Sequence, residues 1–260
     1  GSILLTAHDL HESPWGDGSQ VDQLIRDGFV GDAVMLPEYN SDRLNVVGRG
    51  LAILEVVLRR EGEPVHEVLG GSEQPDVIAA GADLVQRLAE LHGQLSEIRD
   101  PLAGSESLFV GMVSSGEIYN QSPTEFSLSG TRRWLPGTDF EHVRSQLEEL
   151  LASVGSRHQV TPDATIHFVR DGYRIDTGHP VVTAFQDAAR IVMGQPLPEG
   201  CKPFVDDGNT FAAIAGIPAI THGPDAKGAH TTQEEVPLAE LERVAMVYAL
   251  TAAGFCCPAT

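Results

Sequence analysis

The stretch that decides the fold is residues 216–236, which read GIPAITHGPDAKGAHTTQEEV. The apolar run at 217–221 is followed by His222-Gly223-Pro224, so it predicts a buried strand that ends in a turn. A loop then leads to His230, and helix-start chemistry follows, with Thr231-Thr232 as caps and acids in the first turn. The stretch therefore predicts an imidazole at the carboxyl end of a strand, where ligands collect in open α/β sheets.

The first part of the chain repeats this pattern of strands that end in polar residues. Apolar residues 3–7 and 32–36 predict two strands, and residues 19–26 predict the helix between them. His11-Glu12 follows the first strand and Glu38 follows the second. Right-handed crossover geometry would place both strand ends at one edge of a sheet.

The middle of the chain has a different pattern of predicted secondary structure, in which strands and helices follow the order β-α-β-β-α-β. This is the order of the ferredoxin-like module. The predicted elements are strands 46–58, 108–116, 125–135 and 164–169, with helices 75–92 and 139–152. After it, the sequence again predicts an α/β pattern, with helices 179–193, 208–215 and 238–252 and a short strand at 202–205. The predicted domains are 1–45, 46–171 and 172–260.

The quoted stretch resembles the last segment of the zinc-dependent peptidases and deacylases that include acetylornithine deacetylase, succinyl-diaminopimelate desuccinylase, carboxypeptidase G and aminoacylase. Their GiPav-x-fGPG loop is matched by Gly216-Ile217-Pro218 and Gly223-Pro224, with Asp225 in place of the third loop glycine. Their aHtpdE-x-v signature is matched by residues 229–236. The resemblance covers roughly the last two-thirds of a family member.

The resemblance implies a split α/β catalytic domain with an inserted ferredoxin-like lid, which often makes a homodimer. It also implies one or two zinc ions, held here by Glu12, Glu38 and His230. His11 stands where the family has the glutamate that acts as general base, and a histidine can serve as a base. We therefore expect Glu12, Glu38 and His230 to converge in one cleft and His11-Glu12 to act in catalysis.

Three lid residues are assigned by the same resemblance. His66 stands where the family lid carries a histidine that crosses to the partner subunit and polarises the scissile carbonyl. Asn120, in the GEIYNQSP turn, and Arg133, in the TRRWLPG strand end, would hold the substrate carboxylate.

Composition excludes several classes of partner. The chain of 260 residues carries a net charge of -20, which repels nucleic acid and anionic membranes. No apolar run is long enough to span a bilayer. The cysteines are Cys201, Cys256 and Cys257, which do not suggest a disulfide framework, so we expect a cytoplasmic protein. The resemblance implies that its partner is a small-molecule substrate.

Three functional interpretations remain open on the sequence. The first is a metal-dependent amidohydrolase that acts on a peptide or an N-acyl amino acid, as an N-terminally incomplete chain. The family's His-x-Asp strand and bridging Asp are not found before His8, so this interpretation predicts weak or no hydrolysis by the chain alone. The second is an inactive relative that dimerises and binds a small carboxylate. The third is an interaction module built on the ferredoxin-like unit.

Overall fold

The computed structural model describes residues 1–9, 18–38, 41–229 and 231–257. The chain divides into two compact units. One, here called the split unit, consists of Gly1–Arg49 and Asp171–Thr260, and the other, the central unit, is Gly50–Arg170. The chain therefore leaves the split unit once and returns to it once.

The elements alternate between short strands and longer helices. In chain order the strands are β1 (Val34–Leu36), β2 (Leu44–Gly48), β3 (Gly50–Arg59), β4 (Val65–His66), β5 (Arg99–Asp100), β6 (Gly104–Ser105), β7 (Ser107–Ser115), β8 (Gln121–Ser122), β9 (Glu125–Trp134), β10 (Thr161–Arg170), β11 (Tyr173–Arg174), β12 (Glu199–Cys201) and β13 (Ala219–Thr221). The helices are α1 (Ser19–Arg26), α2 (Val77–Ser96), α3 (Phe140–His158), α4 (Pro180–Met193), α5 (Asp207–Ala215) and α6 (Leu238–Cys256). Within the described ranges, none of these helices is long and apolar enough to cross a membrane.

The split unit is built on a mixed five-stranded sheet. Its order is β1-β13-β2-β11, and β12 also pairs with β2. β1 and β13 run parallel, with Leu36 opposite Thr221. Val21 of α1 and Phe211 of α5 pack with Ala219 in one buried cluster, so both helices cover this pair of strands. The unit is a mixed α/β structure in which two parallel strands end side by side.

The strand predicted at residues 3–7 is wrong. These residues have no regular structure, and Ile3 and Leu5 are 76% and 91% exposed. A strand needs a neighbour to satisfy its main-chain groups, and no described strand pairs with this segment. The crossover expected between this strand and the next is therefore also wrong, because β1 takes β13 as its parallel neighbour instead.

The last helix begins at Leu238 as predicted, but the caps predicted at Thr231 and Thr232 are wrong. The N-cap of α6 is Pro237 instead. The chain before it is a loop closed by two hydrogen bonds between the main chains of Lys227 and Glu235. Pro237 fits the helix entrance because its fixed φ suits helical geometry and its missing N–H needs no partner there. The strand predicted at 202–205 lies earlier, at β12.

The central unit is an antiparallel sheet of four strands in the order β10-β3-β9-β7. Helices α2 and α3 contribute to a continuous apolar core with this sheet, centred on Leu54, Leu84, Leu128 and Leu147. The strands and helices follow the order β3-α2-β7-β9-α3-β10 along the chain. β7 is therefore an edge strand, with one side of its main chain unpaired within the described sheet.

The single strand predicted at residues 46–58 is two strands, β2 and β3, which belong to different units. The break falls at Arg49, and at the next residue, Gly50, a Cβ atom would lie 2.1 Å from the indole of Trp134. Buried Asn209 donates hydrogen bonds to the carbonyl of Arg49, at 3.0 Å, and to that of Asp171, at 2.8 Å. One side chain therefore ties together the two points at which the chain crosses between the units.

Candidate functional site

The parallel pair β1–β13 brings Glu38 to the loop that the sequence singled out. The main-chain N–H of His222 donates to the carbonyl of Leu36, at 3.1 Å, which extends the pairing beyond the strands. A Cβ atom on Gly223 would lie 2.0 Å from the carbonyl oxygen of Glu38. Only glycine allows this approach, so the sequence of the loop fixes the place of Glu38 at the end of its strand.

Replacing Gly223 by alanine should therefore disturb this strand end. Because the atom it would meet belongs to the main chain, the neighbour cannot turn away, and we expect a loss of about 1–3 kcal/mol in the free energy of unfolding. Gly93→Ala is the control, because nothing lies within 4 Å of its Cβ position. Chemical denaturation measures both variants, and equal stabilities would contradict the close approach.

A buried ion pair lies beside the same strand end. Lys202 and Asp206 form it with side chains that are 0% and 1% exposed. Asp206 also accepts from the hydroxyl of Thr221, at 2.8 Å, and from the N–H of Gly208, at 2.7 Å. It is thus the N-cap of α5. Burial lowers the pKa of the Lys202 ammonium to about 7.

Further polar groups act on this ion pair. Lys202 Nζ lies 3.3 Å from the hydroxyl of Tyr173, whose pKa is raised by burial. Asp207 Oδ2 lies 2.9 Å from Nε2 of His8. The negative charge of Glu38 raises the pKa of Lys202 and so acts on this cluster, although it is outweighed by burial. The end of β13 therefore carries a linked set of charges.

The side chain of His222 is buried and surrounded by protein groups. It is 1% exposed, its Nδ1 lies 3.4 Å from the carbonyl of Arg43, and its Nε2 lies 3.2 Å from Nη1 of Arg243. Its own carbonyl accepts from the hydroxyl of Tyr248, at 2.6 Å. Both ring nitrogens of His222 thus face protein groups.

Of the three predicted metal ligands, only Glu38 lies within the described residues. Glu12, His230 and the predicted base His11 lie outside them. In the described part of the chain, no three His, Cys, Asp or Glu side chains come close enough to hold a metal ion. The convergence of Glu12, Glu38 and His230 stays a prediction, and Glu38 does lie beside the loop that leads to residue 230.

The structure brings the two lid candidates His66 and Asn120 together. Strands β4 and β8 form a two-stranded ribbon, in which His66 pairs with Gln121. The side-chain amide of Asn120 lies 3.0 Å from Nε2 of His66. Nδ1 of His66 accepts from the N–H of Val68, at 3.3 Å, and Nε2 faces the amide nitrogen Nδ2 of Asn120. Both ring nitrogens of the histidine therefore have a neighbour within the ribbon.

Arg133 lies at the other end of the central unit from this pair. It is near the end of β9, whereas Asn120 lies just before its beginning. The strand from Glu125 to Arg133 spans roughly 26 Å at the usual rise per residue. Asn120 and Arg133 of one chain therefore cannot hold the same carboxylate. The buried arginine of this strand is instead its neighbour Arg132, which pairs with Glu106.

Sequence reasoning did not identify the buried groups at the end of β13, namely Lys202, Tyr173 and the side chain of His222. One available signal was the spacing of Lys202 and Asp206, which are four residues apart. Their burial depends on β11 and β13, which are distant in sequence, so no local sequence pattern predicts it.

Comparison with known proteins gives a consistent result. The model of peptidase family M20/M25/M40 matches residues 16–253. The aminopeptidase PepT from Bacillus cereus superposes with a TM-score of 0.76 at 17% identity, over 90% of this chain and 60% of that one. A tripeptidase from Staphylococcus aureus gives 0.74 at 18% identity, over 91% and 61%. The chain thus spans about three-fifths of the length of these proteins.

One similar structure is a dinuclear metal-binding peptidase of the M20 family, YxeP from Bacillus subtilis. Its TM-score is 0.63 at 13% identity, over 89% of this chain and 60% of that one. A comparison with curated protein sequences found no match. At these identities, the structural likeness establishes the fold alone.

Proposed function

The chain belongs to peptidase family M20/M25/M40, and on that premise we propose that it is a metal-dependent amidohydrolase acting on a peptide or an N-acyl amino acid. The observation that carries the proposal is the place of Glu38, at the end of a parallel strand and beside the loop of the family signature. Carboxylate and imidazole donors at such an edge suit a catalytic zinc site.

The ligands in this proposal are Glu12, Glu38 and His230, with His11 as the general base. Zinc bound there would polarise the scissile carbonyl and lower the pKa of a water molecule. The protein's own contribution at this edge is to fix Glu38 through the contact with Gly223.

His66 supplies a hydrogen-bond donor in this proposal. Its ring is oriented at Nδ1 by the N–H of Val68, and on substrate binding Nε2 would exchange its contact with Asn120 Nδ2 for a carbonyl oxygen that becomes negative in the transition state. Asn120 lies beside it and binds the same substrate. The side chains around this ribbon, Val68, Leu69, Ile118 and Tyr119, are exposed and apolar, which favours a ribbon tip that is covered by protein.

The central unit is the lid in this proposal, and it makes the homodimer. Edge strand β7 exposes the apolar side chains of Phe109, Met112 and Val113, as a strand that pairs with a second copy would. The distance between Asn120 and Arg133 also favours two copies, since one substrate could then meet Asn120 of one chain and Arg133 of the other. A cytoplasmic location, inferred from the cysteines, completes the proposal.

Zinc titration with two variants tests the metal site. Glu38→Gln keeps the size of the side chain but removes its charge, and we expect zinc affinity, measured by calorimetry, to fall at least about tenfold. Asp42→Asn is the control, because its carboxylate is 63% exposed and pairs with Arg43. Equal affinities for the two variants would contradict the assignment of Glu38.

The activity itself is tested with zinc-loaded protein on a panel of dipeptides, tripeptides and N-acyl amino acids. We expect weak hydrolysis at most, which a chelator abolishes and Glu38→Gln lowers. Zinc binding with no detectable hydrolysis of any member of the panel would support the inactive, carboxylate-binding alternative, and robust turnover would contradict the expectation of an incomplete site.

A further inference from the structure

Arg60 lies at the base of the ribbon that carries His66 and Asn120. It follows the last residue of β3 and is only 6% exposed. Its guanidinium donates to four main-chain carbonyls: those of Glu61 at 2.9 Å, Glu63 at 3.0 Å, Ser122 at 2.9 Å and Pro123 at 2.9 Å. A buried positive charge is thus satisfied by main-chain oxygens.

These carbonyls belong to the two segments that flank the ribbon. Residues 61–63 lead into β4, Ser122 is the last residue of β8, and Pro123 follows it. Arg60 therefore joins the entrance of the ribbon to its exit. At the other end, the N–H of Glu67 donates to the carbonyl of Asn120, at 3.0 Å. The ribbon is held at its base by Arg60 and at its tip by main-chain pairing.

An isolated two-stranded ribbon is marginally stable in water, so this ribbon needs support from outside its own ladder. A guanidinium has five N–H donors in a rigid planar fork, and it can reach several carbonyls at once. A lysine has a single compact ammonium and cannot span the same four oxygens. The site is therefore specific to arginine.

We propose that Arg60 is a positioning residue, which fixes the ribbon so that His66 and Asn120 stay side by side. This inference rests on the proposed function, in which the pair contacts the substrate. Arg60 itself does not touch substrate, and it acts through the strand that bears His66.

Nuclear magnetic resonance of the histidine ring tests this inference without an activity assay. Asn120→Ala defines the ring nitrogen shifts of His66 when its neighbour is absent. We expect Arg60→Lys and Arg60→Ala to move the His66 shifts toward those values, and to speed hydrogen exchange of the Glu67 amide at least about tenfold. Arg59→Lys is the control, since exposed Arg59 pairs with Glu125 and Asp163 and should leave both readings unchanged.

The outcomes separate the inference from the proposed function. Unchanged His66 shifts and Glu67 exchange in both Arg60 variants, with changed shifts in Asn120→Ala, would overturn the inference. Moved shifts, together with a fall in kcat that is absent in a His66→Ala background, would support both. Moved shifts, with hydrolysis insensitive to Arg60→Lys and to His66→Ala alike, would leave the positioning role in place and remove the proposed role of His66.

Discussion

Replacing Asp206 by alanine is expected to lower the free energy of unfolding of the split unit by about 3–5 kcal/mol. The change leaves the Lys202 ammonium, which is 0% exposed, without its counter-charge. It also removes the acceptor of the Thr221 hydroxyl and the cap of α5. Small proteins are stable by about 5–15 kcal/mol, so the loss is a large part of the total.

The loss from Asp206→Ala should depend on pH. Burial lowers the pKa of folded Lys202 to about 7, whereas an unfolded lysine has a pKa of about 10.4. Between these values the unfolded chain binds more protons than the folded chain, so the stability of both proteins rises with pH. Removing the carboxylate of Asp206 lowers the pKa of folded Lys202 further, so the variant gains more stability than the parent over the same rise in pH. Denaturation at pH 6 and pH 9 measures this, and we expect the smaller loss at pH 9.

The control for Asp206→Ala is the next residue. Asp207 is also acidic and lies in the same helix turn, but its carboxylate is 17% exposed and pairs with His8. Asp207→Ala should therefore cost much less than Asp206→Ala. Similar losses for the two variants would show that burial of the ion pair does not determine the stability of this unit.

The second large effect is expected in the central unit. Glu106→Ala leaves Arg132, which is 1% exposed, without its carboxylate partner, and we again expect a loss of about 3–5 kcal/mol. Glu106 also accepts from the N–H of Leu135, at 3.3 Å, and from the hydroxyl of Thr138, at 3.1 Å. Its removal therefore disturbs the turn that follows β9 as well.

This second loss should not shrink at high pH. Burial lowers the pKa of Arg132, but a guanidinium stays protonated throughout the accessible range. Glu125→Ala is the control, because its ion pair with Arg59 is exposed and should be worth little. A loss that shrinks at pH 9, or one no larger than that of Glu125→Ala, would contradict the assignment.

Local patterns predicted the helices better than the strands. The helix at residues 19–26 is confirmed at both ends, because Asp27-Gly28 stops it within its own sequence. The strand at residues 3–7 failed because a strand depends on a neighbour that local sequence does not reveal. The caps expected at Thr231-Thr232 failed because Pro237 offered a better helix entrance nearby.

The candidate site was predictable where a close approach required glycine and a strand end required a turn. Gly223 and Glu38 could be found in this way, since both belong to a recognisable strand–turn pattern. Arg60 could not, because its partners are carbonyl oxygens, which every residue has. The contact between His66 and Asn120 joins positions 54 residues apart, and periodicity alone gives no register for so short a ribbon.

The hydrogen bonds of Asn209 have a consequence for how such a chain could be assembled. Because one amide reaches the carbonyls of both Arg49 and Asp171, the two ends of the split unit's interruption lie side by side. A gap of that width could be bridged by a short loop. The central unit thus begins and ends at adjacent points of its host, so the host's main chain needs no stretching to accommodate it.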